Sequence, residues 1–349
     1  MSRLDDVLAL VRVDSVSGNE SSLAHHVAHV LRSVPNLDVE QIGDNVVART
    51  TGRHATRLLV AGHLDTVPGD ATSAHVDGDV VRGLGACDMK GSLAVMLELA
   101  TESTPRSVEV TWVFYAREEV ARAQSGLLEI AELRPDLLQA DAAVLGEPTG
   151  GRVEAGCQGT LRVSVTLNGV RAHTARPYTG RNAIHRLGEL ITRVASYQPR
   201  SVTIDGIEFV EQLQVVAVNG GVAANVVPDV ATCTLNHRVA PDRTRDDAAA
   251  TLASFLGDLV EDGDSLDVVD WAPASVPALS NPHLVRLVGL TGLEARGKVG
   301  WTDVATLSGM GIAATNFGAG DPHLAHRADE FVTLAELDDF ARVLHAWIA

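Results

Sequence analysis

His63 and Asp65 stand two apart at the end of the apolar run RLLVAG, within the stretch AGHLDTVPGD. On an extended backbone residues i and i+2 leave the same face, so an imidazole and a carboxylate emerge together just before the turn at Pro68 and Gly69. One ring nitrogen of such a pair can coordinate a metal while a nearby carboxylate holds the other nitrogen or orients a neighbouring ligand. Taken alone, such a pair more commonly belongs to an ordinary surface loop. More candidates lie elsewhere: Asp88 in the glycine-rich loop GLGACDMKG before a helix, Glu118 and Glu119 ending a strand in FYAREEV, Glu147 ending a strand in VLGEPT, and His326 in the loop GAGDPHLAHRADE. Singly, each acid reads as a helix cap or a solvated turn. Together they form a nitrogen and oxygen donor set without thiolates, which suits a hydrolytic zinc site with open positions. The adjacent glutamates permit a division of labour, one binding metal and the other taking a proton from the activated water.

The elements that position these residues alternate along the chain. Asp38 to Thr50 reads as strand with a GDN turn, Arg57 to Gly62 as strand, Lys90 to Glu102 as helix, Val108 to Ala116 as strand, and Ala142 to Gly146 as strand after a helix that ends before Pro135. This alternation predicts an α/β domain with a largely parallel sheet, whose sites gather at the carboxyl ends of the strands. Ser17 and Glu20 have capping-box spacing for a helix with Leu23, Val27, Val30, Leu31 and Val34 on its apolar face. His25 and His29, four apart on that helix, lie opposite the stripe and read as solvated. From about Gly159 the pattern changes. Thr160 to Asn168 alternates, Asn182 to Tyr197 is helical, Gln212 to Asn219 and Val230 to Val239 are strands, and a helix from Thr244 to Leu259 precedes a strand from Ser265 to Trp271. That is β-α-β-β-α-β, a ferredoxin-like insertion over residues 159–272, with residues 1–158 and 273–349 forming the surrounding domain. Helix from His283 to Thr291, strand from Ile312 to Phe317 and a last helix from Leu334 complete it.

The 45 acidic against 28 basic residues give a net charge of −17, which argues against nucleic acid or an anionic membrane as the main partner. Cys87, Cys157 and Cys233 are scattered and odd in number, so no disulfide framework or thiolate zinc site is expected. The N-terminus MSRLDDVLALVRVDS lacks the charge pattern of a signal peptide, no apolar run approaches a membrane span, and a cytoplasmic protein is expected. No GxSxG elbow occurs, which disfavours a serine hydrolase. GMGIAA at Gly309 imitates a dinucleotide fingerprint but precedes a strand where the fingerprint follows one.

In order and spacing, these motifs resemble the family of dinuclear-zinc amidohydrolases and exopeptidases. The stretches YAREEV, LGEPTGG, EAGCQGTLRV, GVRAHTAR, GWTDVA and FGAGDPHLAHRADE are most similar to its actinobacterial desuccinylating branch. The resemblance implies a zinc-exopeptidase-like catalytic domain with the insertion as a dimerisation and lid domain, two zinc ions with cobalt as a possible substitute, and a homodimer. It implies His63 on one zinc and His326 on the other, Asp88 bridging, Glu147 completing the first site and Glu119 the second, Glu118 as base and acid, and Asp65 orienting His63. It further implies a cis Asp88–Met89 peptide, His173 stabilising the oxyanion in the partner subunit's site, and Asn225, Arg238 and Arg176 on the substrate. The implied reaction is hydrolysis of N-succinyl-L,L-2,6-diaminopimelate to L,L-diaminopimelate and succinate, the substrate being a small N-acyl amino acid. A deacetylase or dipeptidase of the same family is the alternative, and a metal-free homodimeric binding module the reading outside it. Two positions depart from the pattern: Leu84 replaces an arginine found in many relatives, and Gln158 stands where some carry a basic residue. An anionic succinyl group calls for a cation, which Arg176, Arg181 or Arg238 can supply in bidentate fashion.

Overall fold

The computed structural model describes residues 2–104 and 106–349. The apolar runs identified above assemble into two compact units. One comprises the chain up to Gly156 with Pro277–Lys298 and Thr302–Ala349, the other Cys157–Val276 with Val299–Trp301. The boundaries fall at 157 and 276 instead of 159 and 272 because Cys157 and Ser275 exchange backbone hydrogen bonds of 3.1 and 3.0 Å. Residues 299–301 join the second unit, where the Trp301 indole donates to the Pro273 carbonyl at 3.0 Å.

The first unit is built on an eight-stranded sheet in the spatial order Leu37–Ile42, Asn45–Thr50, Glu109–Tyr115, Arg57–His63, Ala142–Leu145, Ala314–Asn316, Glu154–Ala155, Arg296–Gly297. Its centre is parallel, with Arg57–His63 flanked in register by Glu109–Tyr115 and Ala142–Leu145, and Ala314–Asn316 alongside the latter; the edge pair Glu154–Ala155 and Arg296–Gly297 is parallel too. The first two strands form an antiparallel hairpin, and Glu154–Ala155 runs against Ala314–Asn316, so the sheet is more mixed than the alternation predicts. The central strands are covered on both faces, which is why RLLVAGH reads as a continuous apolar run. The helix Gly91–Thr101, buried along nearly all its length, lies in the same unit. Because the central strands run parallel, His63, Tyr115 and Leu145 end at one edge, and the segments carrying Glu118, Glu119 and Glu147 leave from there.

The helix Ser21–Arg32 buries Leu23, Ala24, Val27, Ala28 and Leu31 and exposes His25 and His29. The capping box is not formed. Glu20 occupies the cap position without a side-chain cap bond, and Ser17 Oγ donates instead to Asp65 Oδ2 at 2.7 Å. Both side chains are drawn into tertiary contacts that compete with the local cap.

The second unit has a four-stranded antiparallel sheet in the order Gln212–Gly220, Val230–Val239, Gly159–Asn168, Ser265–Ala272, with the helices Ala183–Ala195 and Arg245–Leu256. This is the ferredoxin-like order, with an additional hairpin of Ser201–Ile204 and Ile207–Val210. Leu161, Val163, Val165 and Leu167 on one face of a single strand pack with Leu187, Leu190, Val194, Leu252 and Leu256. No helix among the described residues is long and apolar enough to cross a membrane, and the three cysteines are buried, with no disulfide among the described residues.

Candidate metal centre

His63 is the last residue of its strand and is fully buried. Its Nδ1 lies 3.0 Å from the Asp65 main-chain oxygen, an acceptor only, so Nδ1 carries a proton, and Nε2 faces Asp88 Oδ1 at 3.1 Å. Asp88 sits in the tight turn Ala86–Lys90 before the buried helix, and the Asp88–Met89 peptide is cis. Glu330 anchors this turn, its Oε1 accepting from the Cys87 and Asp88 N–H groups at 2.7 and 2.8 Å. The second Asp88 oxygen, Oδ2, lies 3.5 Å from His326 Nε2, which is also 2.8 Å from Glu119 Oε1. Asp88 therefore presents one oxygen to each imidazole. Donor atoms of His63, Asp88 and Glu119 lie within 4.8 Å of one another, the only such trio among the described residues.

Glu118 and Glu119 follow the central strand Glu109–Tyr115, and Asp65 holds their backbone. Its Oδ1 accepts from the Glu118 N–H and its Oδ2 from the Glu119 N–H, both at 3.0 Å. The Asp65 carboxylate, 3.4 Å from His63 Nδ1, is thus engaged mainly with the two-glutamate turn, while its main-chain oxygen meets the ring. Burial would raise the Asp65 pKa, but hydrogen bonds from His63 and Ser17 outweigh it and hold it at about 2. Glu147, six percent exposed, points Oε1 into the interior without a hydrogen-bond partner among the described residues. The buried Lys298 is a neighbouring cation, but its ammonium lies 2.9 Å from Glu154 and donates to the Pro148 carbonyl at 3.3 Å.

The electrostatics describe a cluster short of positive charge. Burial and then repulsion from Asp88 push Glu147 up to about 7, and burial and Glu147 push Glu118 well above the carboxylate range. The imidazoles respond in kind. Hydrogen bonds to Asp88 and Glu119 raise His326 to about 10; for His63, Asp65 and Asp88 outweigh desolvation and raise it well above its usual value. Asp88 is held well below the carboxylate range because the two histidines outweigh its burial. A buried carboxylate oxygen without a partner, a carboxylate shared by two imidazoles, and purely nitrogen and oxygen donors fit divalent zinc. A metal entering here displaces the imidazole protons.

The remaining candidates lie in the second unit. The short strands Ala172–His173 and Val226–Val227 pair, and Thr174 N donates to the Asn225 oxygen at 3.1 Å, so His173 and Asn225 share one loop cluster with Arg176, whose N–H donates to the His173 oxygen. All three are exposed, and His173 Nδ1 accepts from the Ala175 N–H at 3.0 Å. Arg238 lies apart on the strand Val230–Val239, half-buried, with Nη1 donating to Thr160 Oγ1 at 2.6 Å. Arg181 forms a bidentate pair with Glu261, which occupies its fork. Gln158 is buried and its amide donates to the Val210 carbonyl at 2.7 Å, so it is committed to the scaffold.

Sequence reasoning missed Glu330 and Lys298 as supports of the site. Glu330 lay within the quoted GAGDPHLAHRADE, four residues after His326, but nothing local marks a carboxylate that binds a distant turn.

The family model for peptidase family M20/M25/M40 matches residues 59–349. A succinyl-diaminopimelate desuccinylase of Corynebacterium glutamicum is 42% identical over 348 residues, covering 97% of this chain and 94% of its own. A Mycobacterium tuberculosis protein to which the same activity is provisionally ascribed is 43% identical over 347 residues, covering 97% and 96%. A tripeptidase from Staphylococcus aureus shares the fold with a TM-score of 0.81 at 22% identity, over 99% of this chain and 96% of its own. With the model matched through the ligand-bearing loops and relatives aligned along nearly the whole length, the chain belongs to peptidase family M20/M25/M40.

Proposed function

We propose that the protein is a zinc-dependent amidohydrolase that cleaves N-succinyl-L,L-2,6-diaminopimelate to L,L-diaminopimelate and succinate, in the diaminopimelate branch of lysine biosynthesis. The substrate follows from the Corynebacterium glutamicum desuccinylase, and the chemistry from one observation: Asp88 offers an oxygen to each of two imidazoles beside the Glu118–Glu119 pair. In this reading His63, Asp88 and Glu147 hold one zinc, and Asp88, Glu119 and His326 hold the other, with cobalt as a substitute. Bound zinc lowers the pKa of water and polarises the amide carbonyl. Glu118 accepts the water's proton and delivers it to the leaving amine. Asp65 keeps Glu118 and Glu119 in register with His63. His173 stabilises the oxyanion in the neighbouring subunit of a cytoplasmic homodimer, and Asn225, Arg238 and Arg176 meet the substrate's polar groups.

The test is hydrolysis of N-succinyl-L,L-diaminopimelate beside N-acetylornithine by protein stripped of metal and refilled with zinc. Zinc-dependent cleavage of the succinyl compound alone is expected. Cleavage of the acetyl compound alone would move the substrate while keeping the site, and absence of both metal binding and turnover would leave a binding module.

A further inference from the structure

The family match begins at residue 59, yet an earlier segment reaches the turn that carries the two glutamates. Three successive N–H groups there donate to carboxylates, Arg117 to Glu20 Oε1, Glu118 to Asp65 Oδ1 and Glu119 to Asp65 Oδ2, each at 3.0 Å. Arg117 has φ of 61°, a left-handed conformation that a β-carbon disfavours. Its own side chain does not hold it in the site, since Nε and Nη2 donate to the Gln124 carbonyl and Glu129. Glu20 is fully buried, and its Oε1 also accepts from the Gly18 N–H at 2.9 Å, a group brought into line by a φ of 89° that favours glycine. Its Oε2 has no hydrogen-bond partner among the described residues.

Burying a carboxylate on so few donors is costly, and a helix cap does not explain it, because Glu20 makes no cap bond to the helix that follows. What Glu20 does hold is the strained first residue of the catalytic turn. We infer that Glu20 is a positioning residue for hydrolysis: through the Arg117 N–H it fixes the backbone from which Glu118 and Glu119 project. This rests on the reading of Glu118 as base and Glu119 as metal ligand. Asp65 anchors the next two N–H groups, so loss of Glu20 leaves the turn attached but lets Arg117 relax, and both glutamates shift with it. Misplacement of about 1 Å is enough to lower turnover by about 10²-fold.

The experiment compares Glu20→Gln, Glu20→Asp and Glu20→Ala in the full chain, with circular dichroism to establish folding. The readouts are kcat and KM on N-succinyl-L,L-diaminopimelate and the visible absorption of the cobalt-filled protein. Glu20→Gln keeps an acceptor oxygen at the same reach and is expected to stay within about threefold of the parent, with its cobalt spectrum unchanged. Glu20→Asp and Glu20→Ala are expected to lose kcat by about 10- to 100-fold at little-changed KM, with altered cobalt bands. Parent-like kcat and spectra in folded Glu20→Asp would overturn the assignment, as would a Glu20→Gln as impaired as Glu20→Asp. If Glu20→Ala does not fold, Glu20→Asp decides. If the parent itself does not cleave this substrate, the substrate reading fails, and the cobalt spectra of parent, Glu20→Gln and Glu20→Asp still judge Glu20.

Discussion

Glu118 and Glu147, beside His63, are treated in the opposite way to the buried carboxylates of the second unit. In the second unit, Glu211 is fully buried and accepts from Arg243 at 2.6 and 3.2 Å, Arg200 at 3.2 Å and the Ala240 N–H at 3.2 Å. Asp264 likewise takes two bonds from Arg186, at 2.6 and 3.0 Å, and two backbone N–H groups. Burial would raise the Asp264 pKa, yet Arg186 and those donors hold it at about 2. In the first unit, Glu147 is pushed up to about 7 and Glu118 also rises, because each faces other carboxylates and no arginine fork. The polypeptide thus completes the carboxylates of the second unit itself, while those around His63 are arranged for a cation the chain does not encode. The same residue type therefore serves folding in one place and metal chemistry in the other.

The strongest way to break this contrast is to remove the metal. Chelation is expected to abolish turnover and added zinc to restore it, measured by hydrolysis rate against bound zinc; turnover that survives full stripping would mean that the His63 cluster needs no ion. Next in size, Glu118→Ala is expected to lower kcat by about 10³-fold, the range of a lost general base. Zinc content by atomic absorption should stay at the parent level, since Glu118 is not among the proposed ligands. A parallel loss of zinc would make Glu118 a ligand and undo its separation from Glu119.

The second unit offers the converse test. Arg186→Ala strands Asp264, whose side chain is 1% exposed, and removal of one partner of a buried pair costs about 3–5 kcal/mol. Urea unfolding should show that loss, while zinc affinity of the folded protein stays unchanged. Adding Asp264→Asn to Arg186→Ala should recover part of it, because the unpaired charge is removed and the amide oxygen still accepts one of the Asn168 and Glu261 N–H groups, which go to Oδ1 and Oδ2 of the carboxylate. If the single variant costs less than about 1 kcal/mol, the pair is solvated in the manner of a surface bridge.

Much of this contrast was legible beforehand. His63, Glu118, Glu119 and Glu147 were found because each ends or follows an apolar run that becomes a strand, and the parallel centre of the sheet brings those run ends to one edge; Asp88 was found in a glycine-rich loop before a helix, and His326 in a loop motif. What the sequence hid was tertiary. Ser17 and Glu20 have the spacing of a capping box, and local pattern alone assigns them to the helix; in the fold their oxygens serve Asp65 and Arg117, tens of residues away. The pairing of Phe331–Thr333 with Val80–Arg82 joins strands of three residues, too short to show a period, although Glu330 beside it anchors Asp88. The mixed sheet escaped notice for a related reason, since Glu154–Ala155 and Arg296–Gly297 are two-residue strands.

The finest distinction between the units lies in the sign of their pH dependence. Asp264 is lowered on folding from 3.8 to about 2, so its stabilisation is fully present above pH ~4 and is lost as pH falls toward 2. Glu147 is raised from 4.5 to about 7, so the metal-free fold gains relative stability when this group is protonated and loses it as pH rises from ~4.5 through 7. His326, raised from 6.5 to about 10, acts in the same direction above pH ~6.5, because the ion pairs it makes as a cation weaken when it loses its proton. Metal-free protein should therefore be less stable at pH 8 than at pH 5.5, by an amount on the order of 2 kcal/mol after allowance for the half-exposed His326, and should melt at a lower temperature there. Zinc should flatten or reverse that slope, since it takes over the role of the imidazole protons and binds better as they leave. Glu147→Gln should remove part of the slope in the metal-free protein without touching the acid limb that Asp264 sets. A metal-free protein more stable at pH 8 than at pH 5.5 would show that the carboxylates beside His63 are already paired, and the difference between the units would vanish.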